Sequence, residues 1–309
     1  MKFSLTLILS SLMLFSSCAS IPDEDNPRSK LQLNIQTSNK NKEIIIETLL
    51  KENVKFSINF DNENSYILEN DILNSNLKYF CNSFLEDQRK ILEKRIFNST
   101  INKGKKVLVI YSNSFKGIYS NLVEKYPEHE YLFVDDVNYE LQIKEVLNVD
   151  SSFDKYLQIS RLYKGGEILH SPRIRNDIGI IYFLTNYEFG KTIVPIFRSY
   201  ALGIDFYAST EIFHEANDIK KLVDFENTYI PITTELIRDI SIKETSSIKE
   251  EIENILIKDL IDIEKIYQNN QFREKIIPTS GNSRVQRSGC INRDLTFWEV
   301  TTLNIIDQT

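Results

Sequence analysis

The sequence predicts an α/β protein built from two doubly wound, parallel-sheet lobes, and three features carry that expectation. Ile178 to Leu184 is a continuous apolar, β-branched run of the length expected for a strand buried on both faces. A helix-length segment follows it, and Gly203 closes that segment before a second strand-like run from Ile204 to Ala208. A strand, a helix and a strand in so short a span require a right-handed crossover to a parallel neighbour, the repeating unit of doubly wound sheets. The third feature lies near the start, where Leu31 to Ile35 alternates like a strand, Lys42 to Lys51 has helical spacing and Lys55 to Phe60 alternates again.

Taken in order, the chain opens with Lys2, an apolar stretch from Phe3 to Phe15 and then Phe15-Ser16-Ser17-Cys18, the pattern of a lipobox. The apolar stretch is too short to span a bilayer, which takes about 20 residues. Residues 1–17 are therefore expected to be a removed lipoprotein signal peptide, with Cys18 the acylated first residue of the mature chain. Ordinary secretion with cleavage near Ala19 or Ser20 is the competing reading. Residues 18–30, with Pro22, Pro27 and no periodicity, are expected to form a tether. Residues 31–150 are assigned to an abbreviated first lobe and 151–309 to a second lobe with a C-terminal return segment. The span from 62 to 76, rich in Asn, reads as loop. Leu85 to Phe97 has helical periodicity, Gly104 ends the connection after it, and Val107 to Tyr111 is a strand. Thr185-x-x-Glu188 has the spacing of a capping box for the following helix, which contains Pro195. Ser247-x-x-Glu250 has the same spacing before a long helix from Ile248 to about Tyr267, with Ile248, Ile252, Ile255, Leu256, Leu260 and Ile263 on one face.

A chain of 309 residues can bury one large core or two lobes that share one. Its hydrophobic fraction of 41% fits a packed fold rather than a disordered segment. A net charge of -7 without a basic cluster leaves no electrostatic footprint for nucleic acid. Beyond Cys18 only Cys81 and Cys290 remain, enough for one disulfide in an oxidising compartment, although spacing leaves open whether they meet. His129, His170 and His214 lie far apart and read as surface or loop residues, so no metal and no cofactor is expected.

Catalytic signatures are missing from the pattern. There is no Gly-x-Ser-x-Gly elbow, no phosphate-cradling glycine loop and no His-Glu-x-x-His, and Gly165-Gly166 follows a helix instead of a strand. Asp135-Asp136 at the end of an apolar run reads as a turn. Ser112 and Ser114 lie just past the end of the Val107 to Tyr111 strand, where open α/β sheets place ligands, and their hydroxyls suit a small carboxylate or amide. The plainer role for Ser114 is to cap a helix from Phe115 to Tyr126. Arg173, Arg175 and Asp177, just before the Ile178 strand, form the densest polar element at a strand entrance, with two guanidinium forks able to engage a carboxylate or a partner chain.

Further segments fit together in order. Asn82-Ser83-Phe84-Leu85-Glu86-Asp87-Gln88, Pro172 to Asp177, Phe206-Tyr207-Ala208-Ser209-Thr210, Thr279-Ser280-Gly281-Asn282-Ser283 and Asn292-Arg293-Asp294-Leu295-Thr296-Phe297-Trp298 resemble, in sequence and spacing, motifs of the LppC family. These are outer-membrane lipoproteins that activate penicillin-binding proteins. The resemblance covers Phe80 to Leu303 and is to the family's C-terminal domain. It implies a periplasmic-binding-protein type I fold and a non-catalytic role in stimulating a class A peptidoglycan synthase. Family members carry a helical-repeat domain ahead of this one, whereas here the tether leads straight to Leu31, and the short span from Ile35 to Phe80 implies a reduced first lobe. Ala19 behind the lipidated cysteine implies, by the same analogy, anchorage in the outer membrane. The alternative function on this fold is a solute-binding lipoprotein that captures an amino acid or short peptide between the lobes.

Overall fold

A computed structural model describes residues 30–60, 65–98, 104–134, 138–163, 165–166, 168–169, 175–240, 246–269, 275–276, 278–286 and 289–302. The elements in chain order are β1 (Leu31–Gln36), α1 (Asn39–Lys51), β2 (Phe56–Asn59), β3 (Tyr66–Ile67), α2 (Phe84–Ile96), β4 (Lys106–Tyr111), α3 (Lys116–Lys125), β5 (Glu130–Phe133), α4 (Tyr139–Leu147) and α5 (Val149–Leu162). There follow β6 (Ile178–Leu184), α6 (Tyr187–Tyr200), β7 (Asp205–Ala208), β8 (Thr228–Pro231), α7 (Thr234–Ile240), α8 (Ile248–Gln268), β9 (Lys275–Ile276), β10 (Asn282–Val285), β11 (Ile291–Asp294) and β12 (Phe297–Glu299).

β4 and β6 are apolar along nearly their whole length because both faces of their sheet are covered. Val107, Val109, Ile180 and Tyr182 face Leu92 and Ile96 of α2 and Leu122 of α3. Leu108, Ile110, Ile181 and Phe183 face the other way, onto Ile193, Val194 and Phe197 of α6. The sheet runs β5-β4-β6-β7-β8-β12, parallel except for the last strand. A smaller parallel sheet, β2-β1-β3, carries the first lobe. Its alternating β1 buries Leu31, Leu33 and Ile35, and these join Ile45 and Leu49 of α1 and Ile252, Leu256 and Leu260 of α8 in the same apolar cluster that lines one face of the large sheet. The two lobes therefore share a core. A third, antiparallel sheet, β9-β10-β11, lies on the chain's return path.

Several sequence expectations are corrected. The boundary at residue 150 falls inside one sheet: β4 and β5, assigned to the first lobe, pair with β6, because β4 is a central strand that needs a partner on each side. The small sheet, by contrast, draws all three of its strands from the chain up to Ile67. Ser247 and Glu250 form the expected reciprocal capping box of α8, but α6 is capped by Asn186, whose side chain accepts from the Phe189 amide, so Thr185 is not its cap. Ser114 is exposed within a 3₁₀ turn, Asn113–Phe115, and caps nothing. Both described histidines lie in loops, as expected, and each is partly buried with a hydrogen-bond partner. His129 Nδ1 accepts from the Val107 amide at 3.3 Å, and partly buried His214 bonds the Thr210 hydroxyl at 3.1 Å through Nε2. Cys81 and Cys290 do meet and form a disulfide across 209 residues of sequence. Among the described residues no helix is long and apolar enough to cross a membrane.

Candidate functional site

In an open α/β sheet the ligand crevice lies outside the carboxyl ends of the strands, where the strand order reverses. Here that point is between β4 and β6, since the chain moves outward from β4 to β5 and then returns to the other side of β4 for β6 to β8. Tyr111 pairs with Leu184 at the end of the two strands, so Ser112 and Thr185 are the next residues on adjacent chains. The Ser112 amide donates to the Leu184 carbonyl at 3.1 Å, fixing the two together. Both side chains are buried, 4% and 1% exposed, and neither hydroxyl has a hydrogen-bond partner. Such a pair differs from the ordinary satisfied interior hydroxyl, because a buried polar group left unpaired costs about 1–3 kcal/mol.

At the ends of β7 and β8 the polar side chains are paired instead. Beyond β7, the Thr210 amide and hydroxyl both donate to Gln88 Oε1, at 3.2 and 3.0 Å, while Gln88 Nε2 donates to the Pro231 carbonyl at the end of β8. Ser209 donates to Glu211, which also receives Arg89 at 2.9 Å. Beside Ser112, Tyr111 stacks on Tyr119 with ring centroids 4.0 Å apart, and Lys116 Nζ lies over the Phe133 ring. Burial, helped by the Tyr119 hydrogen bond, pushes the Tyr111 phenol up to about 12, so it is neutral at physiological pH. The arrangement can donate and accept hydrogen bonds; among the described residues it offers no acid–base pair and no activated nucleophile.

The remaining sequence candidates do not join it. Arg175 and Asp177 precede β6, and in a parallel sheet that places them at the opposite end from Ser112. There the Arg175 guanidinium is engaged by Glu130 at the start of β5, with Nη1 at 2.6 Å, and by Asp177 through Nε at 2.9 Å. Lys106 Nζ adds a 3.0 Å contact to Glu130. Arg175 holds the Glu130 carboxyl below its ordinary range, chiefly through its hydrogen bonds, and does the same to Asp177. With its fork occupied, Arg175 ties the amino ends of β5 and β6, and Lys106 of β4 joins them through Glu130. A cavity of about 240 Å³, lined in part by Arg198, Asp205, Asn227 and Tyr229, also lies at this amino end, by the starts of β7 and β8. Cys18, Arg173 and Asp135-Asp136 fall outside the described residues. Among the described residues no cluster of three or more His, Cys, Asp or Glu side chains could hold a metal ion.

What sequence reasoning missed as chemistry is a buried polar network at the junction of the lobes. The Arg293 side chain is fully buried; Nη1 donates to Asp87 at 3.0 Å and to the Asn82 carbonyl at 3.1 Å, and the guanidinium lies 3.7 Å from the Phe80 ring centroid. Asn82 Nδ2 donates to the other Asp87 oxygen at 2.8 Å. Asp259 of α8 accepts from the Thr279 and Ser280 amides at 2.7 and 2.8 Å. Burial pushes the Asp259 carboxyl up to about 6 against those two hydrogen bonds, and burial also lowers the Arg293 guanidinium. Gly281 closes this turn with φ +148, and a Cβ there would meet Leu295 Cδ2 at 3.0 Å. These are the Asn82–Gln88, Thr279–Ser283 and Asn292–Trp298 segments; their signal was the recurrence of motifs, and their partners were invisible because more than 200 positions separate Asp87 from Arg293.

The fold is periplasmic-binding-protein type I-like, mixed α/β with parallel sheets. No protein-family model matches the chain, and no curated protein matches it in sequence. Among solved structures, a protein of Chromobacterium violaceum assigned to branched-chain amino acid ABC transport superposes over 87% of this chain and 100% of its own, with a TM-score of 0.51 at 6% identity. LpoA of Haemophilus influenzae matches 91% of this chain with a TM-score of 0.47 at 8% identity, and the chain spans only 58% of that protein's length. The LpoA C-domain from the same organism, described as a regulator of PBP1A, matches 88% of this chain and 80% of its own at a TM-score of 0.42 and 8% identity.

Proposed function

We propose that this is a lipid-anchored, non-catalytic envelope protein that faces the periplasm from the outer membrane and regulates peptidoglycan synthesis by binding a class A penicillin-binding protein. The observation that carries the reading is the single apolar core the two lobes share, with the buried Asp87–Arg293 pair tying α2 to the returning strand β11; both favour one setting, which suits a body that presents a fixed surface. The segments that build this junction are those that resemble the LppC activators. Cys18 supplies the anchor, and Ala19 behind it favours the outer membrane. The test is glycan polymerisation by a purified class A synthase with and without the lipoprotein in detergent. Stimulation that rises with lipoprotein concentration and saturates supports the reading. An unchanged rate, together with no co-purification of the pair, would sink it.

A second reading rests on Ser112 and Thr185. Their unpartnered hydroxyls at the switch point suit the carboxylate or amide of an amino acid or short peptide, which would make the protein a solute-binding lipoprotein. Anything that binds only the folded state raises the melting temperature. A panel of amino acids and muropeptides giving no shift for the native chain, or an equal shift for the Ser112→Ala/Thr185→Val variant, argues against it.

A further inference from the structure

Two passages of chain between the lobes lie side by side. The first, Tyr79 to Asn82, leaves the first lobe for α2; the second, Cys290 to Asp294, leads through β11 to β12 in the large sheet. They are zipped together over very few residues. The Ile291 amide donates to the Tyr79 carbonyl at 2.7 Å, the Cys81 amide donates to the Ile291 carbonyl at 2.9 Å, and Phe80 and Ile291 form a parallel bridge. The Cys81–Cys290 disulfide closes this contact covalently, and both cysteines are partly exposed. Arg293 clamps the far side through Asn82 and Asp87.

Tyr79, two residues before the disulfide, adopts φ +76, a left-handed conformation that a bulky side chain adopts only under constraint. Its ring is held on the first-lobe side by stacking on Tyr267 of α8 at 4.1 Å, and Lys78 is fixed by Glu264 of the same helix at 3.0 Å. A strained residue thus sits between an anchor on the first lobe and a cross-link to the strand entering the second.

We propose that the Cys81–Cys290 disulfide is a redox-sensitive clasp on the interlobe hinge. Oxidised, it pins the two passages and keeps Tyr79 strained. The thiolate of a dithiol reductant attacks one sulfur, a mixed disulfide forms, and the reductant's second thiol resolves it; two electrons and two protons pass to the protein, leaving two cysteine thiols and an oxidised dithiol. Freed of the cross-link, Tyr79 relaxes, the Phe80–Ile291 bridge opens and the setting of the lobes loosens while each lobe stays folded. This inference holds whichever partner or solute the protein binds.

Amide hydrogen exchange of the full chain in detergent, oxidised and after treatment with dithiothreitol, tests it. The amides of 79–82 and 289–294 are expected to exchange about tenfold faster after reduction, while β4, β6 and β7, whose amides exchange only through global unfolding, stay protected over the minutes in which the hinge exchanges. Reoxidation should restore slow exchange, and the Cys81→Ala/Cys290→Ala variant should match the reduced protein without reductant. No acceleration at the hinge overturns the proposal. Exchange of the central strands within those same minutes overturns it too, since reduction would then have opened the whole fold and not the hinge.

Discussion

Arg293 holds its charge in a fully buried position, and its partners fix what its loss or theirs should do. Removing Asp87 would leave a buried cation unpaired, a change that typically costs about 3–5 kcal/mol. Asp87→Ala is therefore expected to lower the unfolding free energy by about that much in urea titration, far more than a substitution of exposed Ser114. His214 gives a pH signature. Burial, with Lys249 and Arg89 nearby, depresses it to about 3 from 6.5. Because the folded value lies below the unfolded one, the stability it contributes is complete above about pH 6.5 and is lost as pH falls toward 3, at most about 1.4 kcal/mol per unit. Asp259 acts in the opposite sense: its folded value is raised to about 6 from 3.8, so its contribution is complete below about pH 4 and is lost as pH rises through 6. The two oppose each other between about pH 6 and 4. Unfolding measured across that interval should become steeper in acid for Asp259→Asn and flatter for His214→Gln; parallel curves for both variants would refute the assignment. At this scale the sequence drew attention to positions beside strands without showing their surroundings. Ser112 stood out because of its place after a strand. Arg175 and Asp177 stood out equally, yet only strand direction reveals that they lie at the other end of the sheet.

Among the elements, those buried on both sides were the most legible. β4, β6 and α8 were readable because an apolar run, or an apolar stripe with a capping box, has few alternative placements. β10 and β11 were not anticipated, because short strands such as Asn282–Val285 and Ile291–Asp294 mix polar and apolar residues and are fixed by pairing with each other. α6 combines both situations. Pro195 lies inside it, as expected, but its tightest constraint is Gly190, where a Cβ would approach Ile212 Cγ1 to 2.6 Å and Phe225 Cε1 to 2.9 Å. Gly190→Ala should therefore destabilise by about 1–3 kcal/mol through overpacking, despite the better helix propensity of alanine. A stabilised variant in thermal melts would contradict that packing.

For the whole molecule, the number of lobes was readable and their boundary was not. Sequence order placed β4 and β5 with the residues before them, whereas a doubly wound sheet assembles around its most buried strand and draws neighbours from either side in sequence. Disulfide pairing was equally beyond reach, since it depends on the return of the chain after α8. Closing so long a loop restricts the unfolded chain by about 5 kcal/mol in the chain-entropy model, so the reduced protein should show a markedly lower urea midpoint. The central claim is that two lobes sharing one core behave as a single fixed body. Its most direct test is urea unfolding of the oxidised protein followed by the fluorescence of its one tryptophan, Trp298, buried in β12 of the second lobe, and by far-ultraviolet circular dichroism, which reports both lobes. A single transition with coincident midpoints is predicted. Two separated transitions, with Trp298 following only one, would contradict the shared core and remove the fixed geometry on which the regulatory reading stands.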